Sequence, residues 1–472
     1  MKKRALSALL ALCMALALLP WAAVPARAAV TRRQLMLGAS GLIKDNIIYF
    51  GNEHDNEYQR SWRVLSPAGV NSTLPVSGTD RVLLISSRAR EAIKFDNAST
   101  AWADSYARTW CTDFYTSNFN ALEQAAIAET TLEEKNNETY QNKPYCYYYK
   151  KDNSTFHFAA APLSADRLFF LSAEEAATYL KTNAARQPSG ASAGWWLRSP
   201  EISTDSLLMG RVEGGGALAT ASLGYDNTYA RPACNLDAAS ILFTQLADGI
   251  TPAVNTVEKI QTTSDYSAWK LTLHDSSRDS FWAEVTASNA SRSGGTVTIR
   301  YKNAKTDSNE YVSVLLCDET GAAVCYGVSA PLTNAGQSSG TVTFTLPENL
   351  DTKRYTLYVC NEQRNGAKFS NYASAFQETT LPVIGFGSGD SSVQNNTVRY
   401  SVQGAPKNAL IIAARYDGGK MTDVQTLDLA DDEAREGTLT LRGTGTGFKL
   451  FLVDKTTYAP LCPAVDGMST SS

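Results

Sequence analysis

Short strand-type segments recur at turn-punctuated intervals through the second half of the chain, and this pattern restricts the fold more than any other sequence feature. From about residue 250 to 380 they include "WKLTLHD", "GTVTIRYKN" and "RYTLYVCNE", and from about 383 to 465 "NTVRYSVQG" and "GFKLFLVD". Asp417-Gly418-Gly419 is a strong hairpin signal because glycine adopts a positive φ at low steric cost. The pattern predicts two all-β, immunoglobulin-like sandwich domains, at 248–381 and 382–472.

Residues 29–247 carry a mixed pattern of short strands and helices, which predicts an α+β domain. "IIYF", "WRVL" and "RVLLIS" are brief β-type runs bounded by turn-forming residues. "ALEQAAIAE" predicts a helix, and Ser172 with Glu175 forms the S-x-x-E capping box of another helix. The glycine-rich "MGRVEGGGALAT" predicts a hairpin, with the rim of a binding site as the alternative.

An aromatic residue recurs at every fourth position after Ser99 and Thr100, which are candidate helix N-caps. The four residues are Trp102, Tyr106, Trp110 and Phe114. This spacing places them on one face of a helix, and we expect that face to pack into the core.

The first 28 residues have the layout of a secretory signal peptide: a basic start, an apolar run and a final Ala26-Arg27-Ala28. No later stretch is long and apolar enough to span a bilayer. Removal of 1–28 leaves 39 basic and 47 acidic residues, a net charge of −8. This balance argues against nucleic acid or an anionic membrane as the main partner. We therefore expect a secreted or cell-surface-associated protein.

Seven cysteines remain after the predicted cleavage. They are Cys111, Cys146, Cys234, Cys317, Cys325, Cys360 and Cys462. The number is odd and no C-x-x-C occurs, so we expect small buried hydrophobic side chains and no disulfide scaffold. One bridge within Cys317, Cys325 and Cys360 stays open.

The motifs of familiar catalytic centres are missing from the sequence. The histidines, each in a different segment, are His54, His157 and His274. No Cys/His metal-ligand set, no G-x-S-x-G elbow and no phosphate-binding loop occurs. We therefore predict no catalytic residue, no metal and no cofactor. Carboxylates near the tryptophan motif leave a carbohydrate hydrolase open, and they are Glu201, Asp205, Glu213 and Asp226.

The tyrosine-rich segment "YQNKPYCYYYK" contains the candidate binding residues Tyr145, Tyr147, Tyr148 and Tyr149. Tyrosine combines an apolar ring with a hydroxyl group, which suits stacking on sugars or anchoring a protein interface. The alternative is that alternate tyrosines face the core.

Two arginine motifs, "GWWLRSP" and "YARPACNLD", lie about thirty residues apart. If the first is a strand, Trp195 and Trp196 point to opposite faces and at least one is in the core. Arg198 and Arg231 then lie in apolar surroundings, where each guanidinium needs carboxylate or carbonyl acceptors. We interpret both arginines as structural groups that tie loops together.

Four motifs, in order, carry a resemblance to a known domain: "FGNEHDNEYQRSWRVLSP", "AWADSYARTW", "DRLFFLS" and "GWWLRSP…ARPACNLD". Over Asp45–Phe243 the chain resembles a domain of unknown function common in exported proteins of Gram-positive bacteria. That domain is similar to the formylglycine-generating-enzyme branch of the C-type-lectin fold, in which W-L-R-S-P and G-[VF]-R-P-A strands are hallmarks. Here Ala230 replaces the usual Val or Phe. The resemblance implies a C-type-lectin-like first domain that presents loops for binding.

The resemblance brings no activity with it. Formylglycine-generating enzymes depend on a cysteine pair that holds copper, and Cys111, Cys146 and Cys234 match no such motif. The leading hypothesis is a lectin-like head on a β-sandwich stalk, an adhesion or binding protein for an extracellular glycan, cell-wall polymer or surface protein. The alternatives are a carboxylate-based hydrolase of the cell envelope and a structural component of a surface assembly without a small ligand.

Overall fold

Short strands bounded by turns make up most of the molecule. The computed structural model describes residues 44–51, 61–67, 80–190, 194–202, 207–247, 252–260, 268–288, 295–318, 323–348, 355–379, 381, 383–386, 393–394, 396–405, 408–429 and 436–468. The predicted signal peptide, His54 and Asp205 lie outside these residues. The described residues form several β-sheets with few helices, which confirms a β-rich, multidomain chain. In the described segments no helix has the length and apolar character needed to cross a bilayer.

The helices and strands follow the predicted change of pattern along the chain. The helices are α1 (Tyr106–Asn118), α2 (Ala121–Ala126), α3 (Ala173–Tyr179) and α4 (Asn183–Arg186). The strands up to residue 246 are β1 (Ile47–Tyr49), β2 (Ser61–Ser66), β3 (Arg81–Ser86), β4 (Ile127–Ala128), β5 (Thr130–Leu132), β6 (Glu138–Tyr140), β7 (Lys143–Tyr145), β8 (Tyr147–Lys151), β9 (Ser154–Phe158), β10 (Leu163–Asp166), β11 (Leu168–Phe169), β12 (Trp195–Glu201), β13 (Leu208–Val212), β14 (Leu218–Ser222), β15 (Ala233–Asp237) and β16 (Ile241–Leu246). The later strands are β17 (Thr256–Lys259), β18 (Ala268–His274), β19 (Trp282–Ser288), β20 (Gly295–Lys302), β21 (Glu310–Cys317), β22 (Ala323–Val328), β23 (Gly340–Leu346), β24 (Thr356–Gln363), β25 (Asn371–Ala373), β26 (Gln377–Thr379), β27 (Val383–Phe386), β28 (Val393–Gln394), β29 (Thr397–Gln403), β30 (Ala409–Asp417), β31 (Lys420–Asp428), β32 (Glu436–Thr440), β33 (Gly447–Asp454) and β34 (Val465–Met468).

Helix α1 begins later than the aromatic spacing predicts. Its N-cap is Ser105, whose side chain accepts a hydrogen bond within the first turn, and not the residues at 99–100. Trp102 lies before the helix in a short 3₁₀ turn. The predicted single stripe is therefore wrong: Trp102 and Trp110 are buried, but the Tyr106 side chain is 55% exposed.

Two sheets enclose the core of the first block. One runs β1-β2-β3-β15, with β4 and β11 both pairing with β15. The other has the order β14-β13-β12-β9-β8. The hairpin predicted for the glycine-rich segment is confirmed by the antiparallel pairing of β13 with β14. Strand β12, which carries "WWLRSP", is the central strand of the second sheet and pairs with β13 along one edge and β9 along the other.

The first and second blocks share hydrogen bonds and core. Strand β1 pairs in parallel with β18, which also pairs with β16 and β25. Leu271, Leu273 and Tyr372 belong to the same hydrophobic cluster as the side chains of the first block. The predicted limit at 247/248 thus falls between hydrogen-bonded neighbours, β16 and β18, and the domain limits remain a prediction. The full chain is therefore the appropriate unit for binding experiments.

The later residues form two further hydrophobic clusters. One lies among strands β17–β26 and contains Val314, Phe344 and Val359. The other contains Val398, Ile411 and Leu450, from β29, β30 and β33. In that last block β29 pairs with β27, β28 and β32, and a second sheet has the order β31-β30-β33-β34. Separate clusters are expected because a chain of this length is too long for one hydrophobic core.

Candidate functional site

Arg198 is fully buried and lies at the centre of a hydrogen-bond network. Its Nε donates to the Ala161 carbonyl (2.7 Å) and its Nη1 to that of Phe170 (2.9 Å). The two terminal nitrogens contact the two Glu175 carboxylate oxygens at 2.5 and 2.7 Å. Nη2 also contacts Glu134. One side chain therefore connects three segments that are distant in sequence.

The Arg198 network is stabilised by opposite charges and by the N-terminal capping box of helix α3. Burial alone would lower the pKa of Arg198, but the Glu175 and Glu134 carboxylates raise it above its ordinary value. Glu175 also accepts from the Ser172 N–H (2.9 Å), while Ser172 Oγ accepts from the Glu175 N–H (3.2 Å), which confirms the predicted capping box. Because its polar groups are used internally, Arg198 is not available to a ligand.

Trp195 and Trp196 are both buried, on opposite faces of β12. The Trp195 Nε1–H donates to the Arg186 carbonyl at 3.0 Å, and the Trp196 Nε1–H donates to the Ile93 carbonyl at 2.8 Å. Each indole thus satisfies its one donor while its ring stays in the core.

Arg231 is fully buried and contacts two carbonyls and an aromatic ring. It donates to the Ser86 carbonyl (2.9 Å) and the Arg186 carbonyl (2.7 Å), and its guanidinium lies 5.0 Å from the Trp195 ring centroid. Burial, with a smaller contribution from Arg63, lowers its pKa to about 9. These contacts hold strand β3 and helix α4 against the motif.

The four candidate tyrosines do not form one surface. Tyr147 and Tyr149 pack against the core of the first block, whereas Tyr148, on the other face of β8, is 60% exposed. Tyr145 is buried and its ring meets His157 edge-on, with the ring centroids 4.9 Å apart. Side-chain alternation along β8 places Tyr148 on the face opposite Tyr147 and Tyr149, which explains why it is the most accessible of the four.

A cleft of about 400 Å³ lies beside the second arginine motif, at a place the sequence did not indicate. Its lining residues are Glu91, Ala92, Ile93, Lys94, Asp96, Asn97, Tyr106 and Asp226. Segment 91–97 is held by hydrogen bonds from the Ala230 N–H to the Glu91 carbonyl (2.9 Å) and from the Ile93 N–H to the Thr228 carbonyl (3.0 Å). The "YARPA" motif therefore positions the wall of the cleft.

Asp96 is fixed by backbone donors. Its Oδ1 accepts from the N–H groups of Ala98 (2.8 Å) and Ser99 (2.9 Å), and its Oδ2 accepts from that of Tyr106 (3.0 Å). These bonds, led by those of Ala98 and Ser99, lower the pKa of the carboxyl. Asp96 is thus a charged acceptor held at the start of helix α1.

The rest of the cleft combines polar groups with one accessible ring. Tyr106 contributes its exposed side chain, and Glu91 accepts a hydrogen bond from the Trp110 indole. Asp226 adds a carboxylate, and Lys94 supplies ammonium donors. Sequence reasoning missed this group because Tyr106 was assigned to the core and Asp226 was one carboxylate among many.

Most of the described cysteines are core side chains. All seven described cysteines are free thiols, and the six other than Cys146 are buried, which confirms for those six that they behave as small core side chains. Burial raises the pKa of the Cys146 thiol to about 12. Among the described residues no group of three or more His, Cys, Asp and Glu side chains is arranged to hold a metal ion.

Comparison with protein families finds a match for part of the first block, and the matched family has no assigned function. Residues 79–238 match the model of a family described as a domain of unknown function, DUF6273, which confirms that part of the resemblance. No curated protein matches the chain. A crystal structure of a tetra-tandem repeat in the extending region of a large adhesion protein is similar with 11% identity and a TM-score of 0.13, over 57% of this chain and 67% of that one. A TM-score this low supports no argument about fold or function.

Proposed function

We propose that this protein is an exported binding protein whose first block recognises a carbohydrate in the cleft of Asp96, Tyr106 and Asp226. The observation that carries the proposal is the cleft itself, in which an accessible aromatic ring stands beside a carboxylate fixed by three backbone N–H groups. In this proposal the first block is a C-type-lectin-like head and the two later blocks are immunoglobulin-like spacer modules. The signal-peptide pattern supports export to the cell surface or the medium.

The chemistry of the cleft suits a sugar better than an apolar ligand. A pyranose presents hydroxyl groups that donate to carboxylates and accept from ammonium or amide groups, and its ring face stacks on an aromatic side chain. Asp96 and Asp226 supply acceptors, Lys94 and Asn97 supply donors, and Tyr106 supplies the ring. Because backbone bonds already orient Asp96, little conformational entropy is lost when it binds a hydroxyl group.

Binding of the full chain to a glycan array and to purified cell-wall polymers tests the proposal. We expect saturable binding that Tyr106→Ala weakens by at least tenfold, or about 1.4 kcal/mol. Two exposed tyrosines outside the cleft provide matched controls: Tyr148→Ala, on β8, and Tyr458→Ala, in the last block. Their side chains are 60% and 64% exposed, so all three substitutions remove a similarly accessible ring.

The controls decide between the alternatives. Binding that survives Tyr106→Ala but is lost with Tyr148→Ala would contradict the cleft and favour the tyrosine segment. No binding to any glycan or wall polymer would contradict carbohydrate recognition. That outcome would leave a surface protein, or a structural role without a small ligand, as the alternatives.

A carboxylate-based hydrolase is the second candidate, because Glu91, Asp96 and Asp226 line one cleft. Asp96 is poorly suited to act as the acid, since its pKa is lowered by hydrogen bonds from backbone groups. Release of reducing sugar from a polymer that the protein binds tests this candidate. Activity that Asp226→Asn or Glu91→Gln abolishes, with binding retained, would favour the hydrolase over a binding protein.

A further inference from the structure

Strand β31, Lys420–Asp428, is the outer strand of its sheet. It pairs with β30 on one side, and in the described chain no strand pairs with its other side. Most of its side chains are exposed, including the apolar Met421 and Val424. The strand carries a bulge at Thr422, and the side chains of Thr422 and Asp423 bond the 442–444 segment of the same chain. The outward N–H and C=O groups along the rest of such an edge strand are available for pairing with an added strand.

The sequence of this edge is complementary to itself when it is read in opposite directions. In an antiparallel pairing centred on Val424, the residues opposite each other are Lys420 and Asp428, Met421 and Leu427, Thr422 and Thr426, Asp423 and Gln425, and Val424 with itself. Opposite charges, apolar pairs and threonine pairs at facing positions are the arrangements that stabilise neighbouring strands. No two like charges face each other in this register.

We propose that two copies of this chain associate through their β31 strands, antiparallel, about a two-fold axis at Val424. The contact joins two four-stranded sheets into one of eight strands. It is isologous, so each copy contributes the same surface and every contact off the axis occurs twice.

Charge selects this orientation over the parallel one. In a parallel pairing Lys420 would face Lys420 and Asp428 would face Asp428, and like charges directly opposite are destabilising. Asp428 already contacts Lys455 of its own chain at 2.7 Å. Both side chains are more than half exposed (56% and 53%), so the carboxylate remains accessible to the Lys420 of a second copy.

The oligomeric state of the full chain, measured by sedimentation velocity over a range of concentrations, tests the proposal. We expect a monomer–dimer equilibrium in which Lys420→Glu or Asp428→Lys raises the dimer dissociation constant by about tenfold or more, because two attractive pairs become repulsive. The double variant, Lys420→Glu with Asp428→Lys, exchanges the charges and restores dimerisation. Lys449→Glu is the matched control, since it reverses a charge paired with Asp466 within the same block.

Val424→Asp gives an independent test, because it places two like charges together at the axis. We expect this variant to be monomeric, with its thermal unfolding close to that of the parent chain. A parent chain that is monomeric at every concentration would overturn the proposal. So would a dimer that persists in both Val424→Asp and Lys420→Glu, since it would have to use another surface.

Discussion

Replacement of Arg198 by methionine tests how much the buried ion network contributes to stability. Methionine keeps much of the side-chain volume, so the change removes the charge and donors with a limited cavity effect. The Glu175 carboxylate is then left nearly inaccessible, with 3% of its side chain exposed and the Ser172 N–H as its remaining donor from the capping box. The Glu134 side chain is 13% exposed and therefore better hydrated, so the loss of its Arg198 partner costs less.

These contacts predict that Arg198→Met lowers the free energy of unfolding by as much as breaking a buried ion pair does. Removal of one partner costs about 3–5 kcal/mol, and we expect about 4 kcal/mol here because Glu175 keeps a backbone donor. For a block of this size, with about 2–4 °C per kcal/mol, the midpoint of thermal unfolding falls by about 10 °C. Tryptophan fluorescence reports on the right region, since five of the seven described tryptophans lie between residues 62 and 196.

A double-mutant cycle separates the ion pair from packing. Glu175→Gln retains an acceptor for the capping box, so Arg198→Met with Glu175→Gln is expected to cost less than the sum of the two single changes by at least about 1 kcal/mol. Arg300→Ala, in the half-exposed pair with Glu284, is the control and is expected to cost less than about 1 kcal/mol. Additive effects, or an Arg198→Met midpoint within 1 °C of the parent, would refute the reasoning.

Three further predictions concern single residues. Gly216 has φ +85° and an added Cβ would lie 1.9 Å from the Asn183 carbonyl oxygen, so Gly216→Ala is expected to lower the unfolding free energy by about 2 kcal/mol or more in chemical denaturation. Burial, with a smaller contribution from Arg364, lowers the pKa of Lys270 from 10.5 to about 8. Between pH 8 and 10.5 the unfolded chain therefore binds more protons at this residue than the folded chain, and the free energy of unfolding rises with pH. Lys270→Met is expected to remove that rise and to be more stable at pH 7 by about 3 kcal/mol; an unchanged pH profile would contradict this. The Cys146 thiol, with its raised pKa, is expected to react with a thiol reagent at pH 8 far more slowly than in the unfolded chain.

Local pattern predicted the elements of this fold better than their limits. Strand β3 follows from a short apolar run bounded by turn-forming residues, and the capping box at Ser172 follows from the S-x-x-E spacing, because both depend on neighbours a few residues apart. The predicted start of α1 at residues 99–100 was wrong. The helix begins after Ser105 because Asp96 fixes the preceding turn through hydrogen bonds from backbone N–H groups. The sharing of β18 between two blocks was also beyond prediction, because it joins residues separated by more than two hundred positions.

The sequence by itself determined the class of molecule: a mixed first block, later all-β segments, and arginines in "WLRSP" and "ARPA" that need buried acceptors. These features follow from composition, periodicity and the cost of burying an unpaired charge. Only the tertiary structure decided which tyrosine is accessible and that segment 91–97 forms a cleft with Tyr106 and Asp226. The reason is physical: a site is made of side chains from distant segments, and their convergence depends on long-range packing that no local pattern encodes.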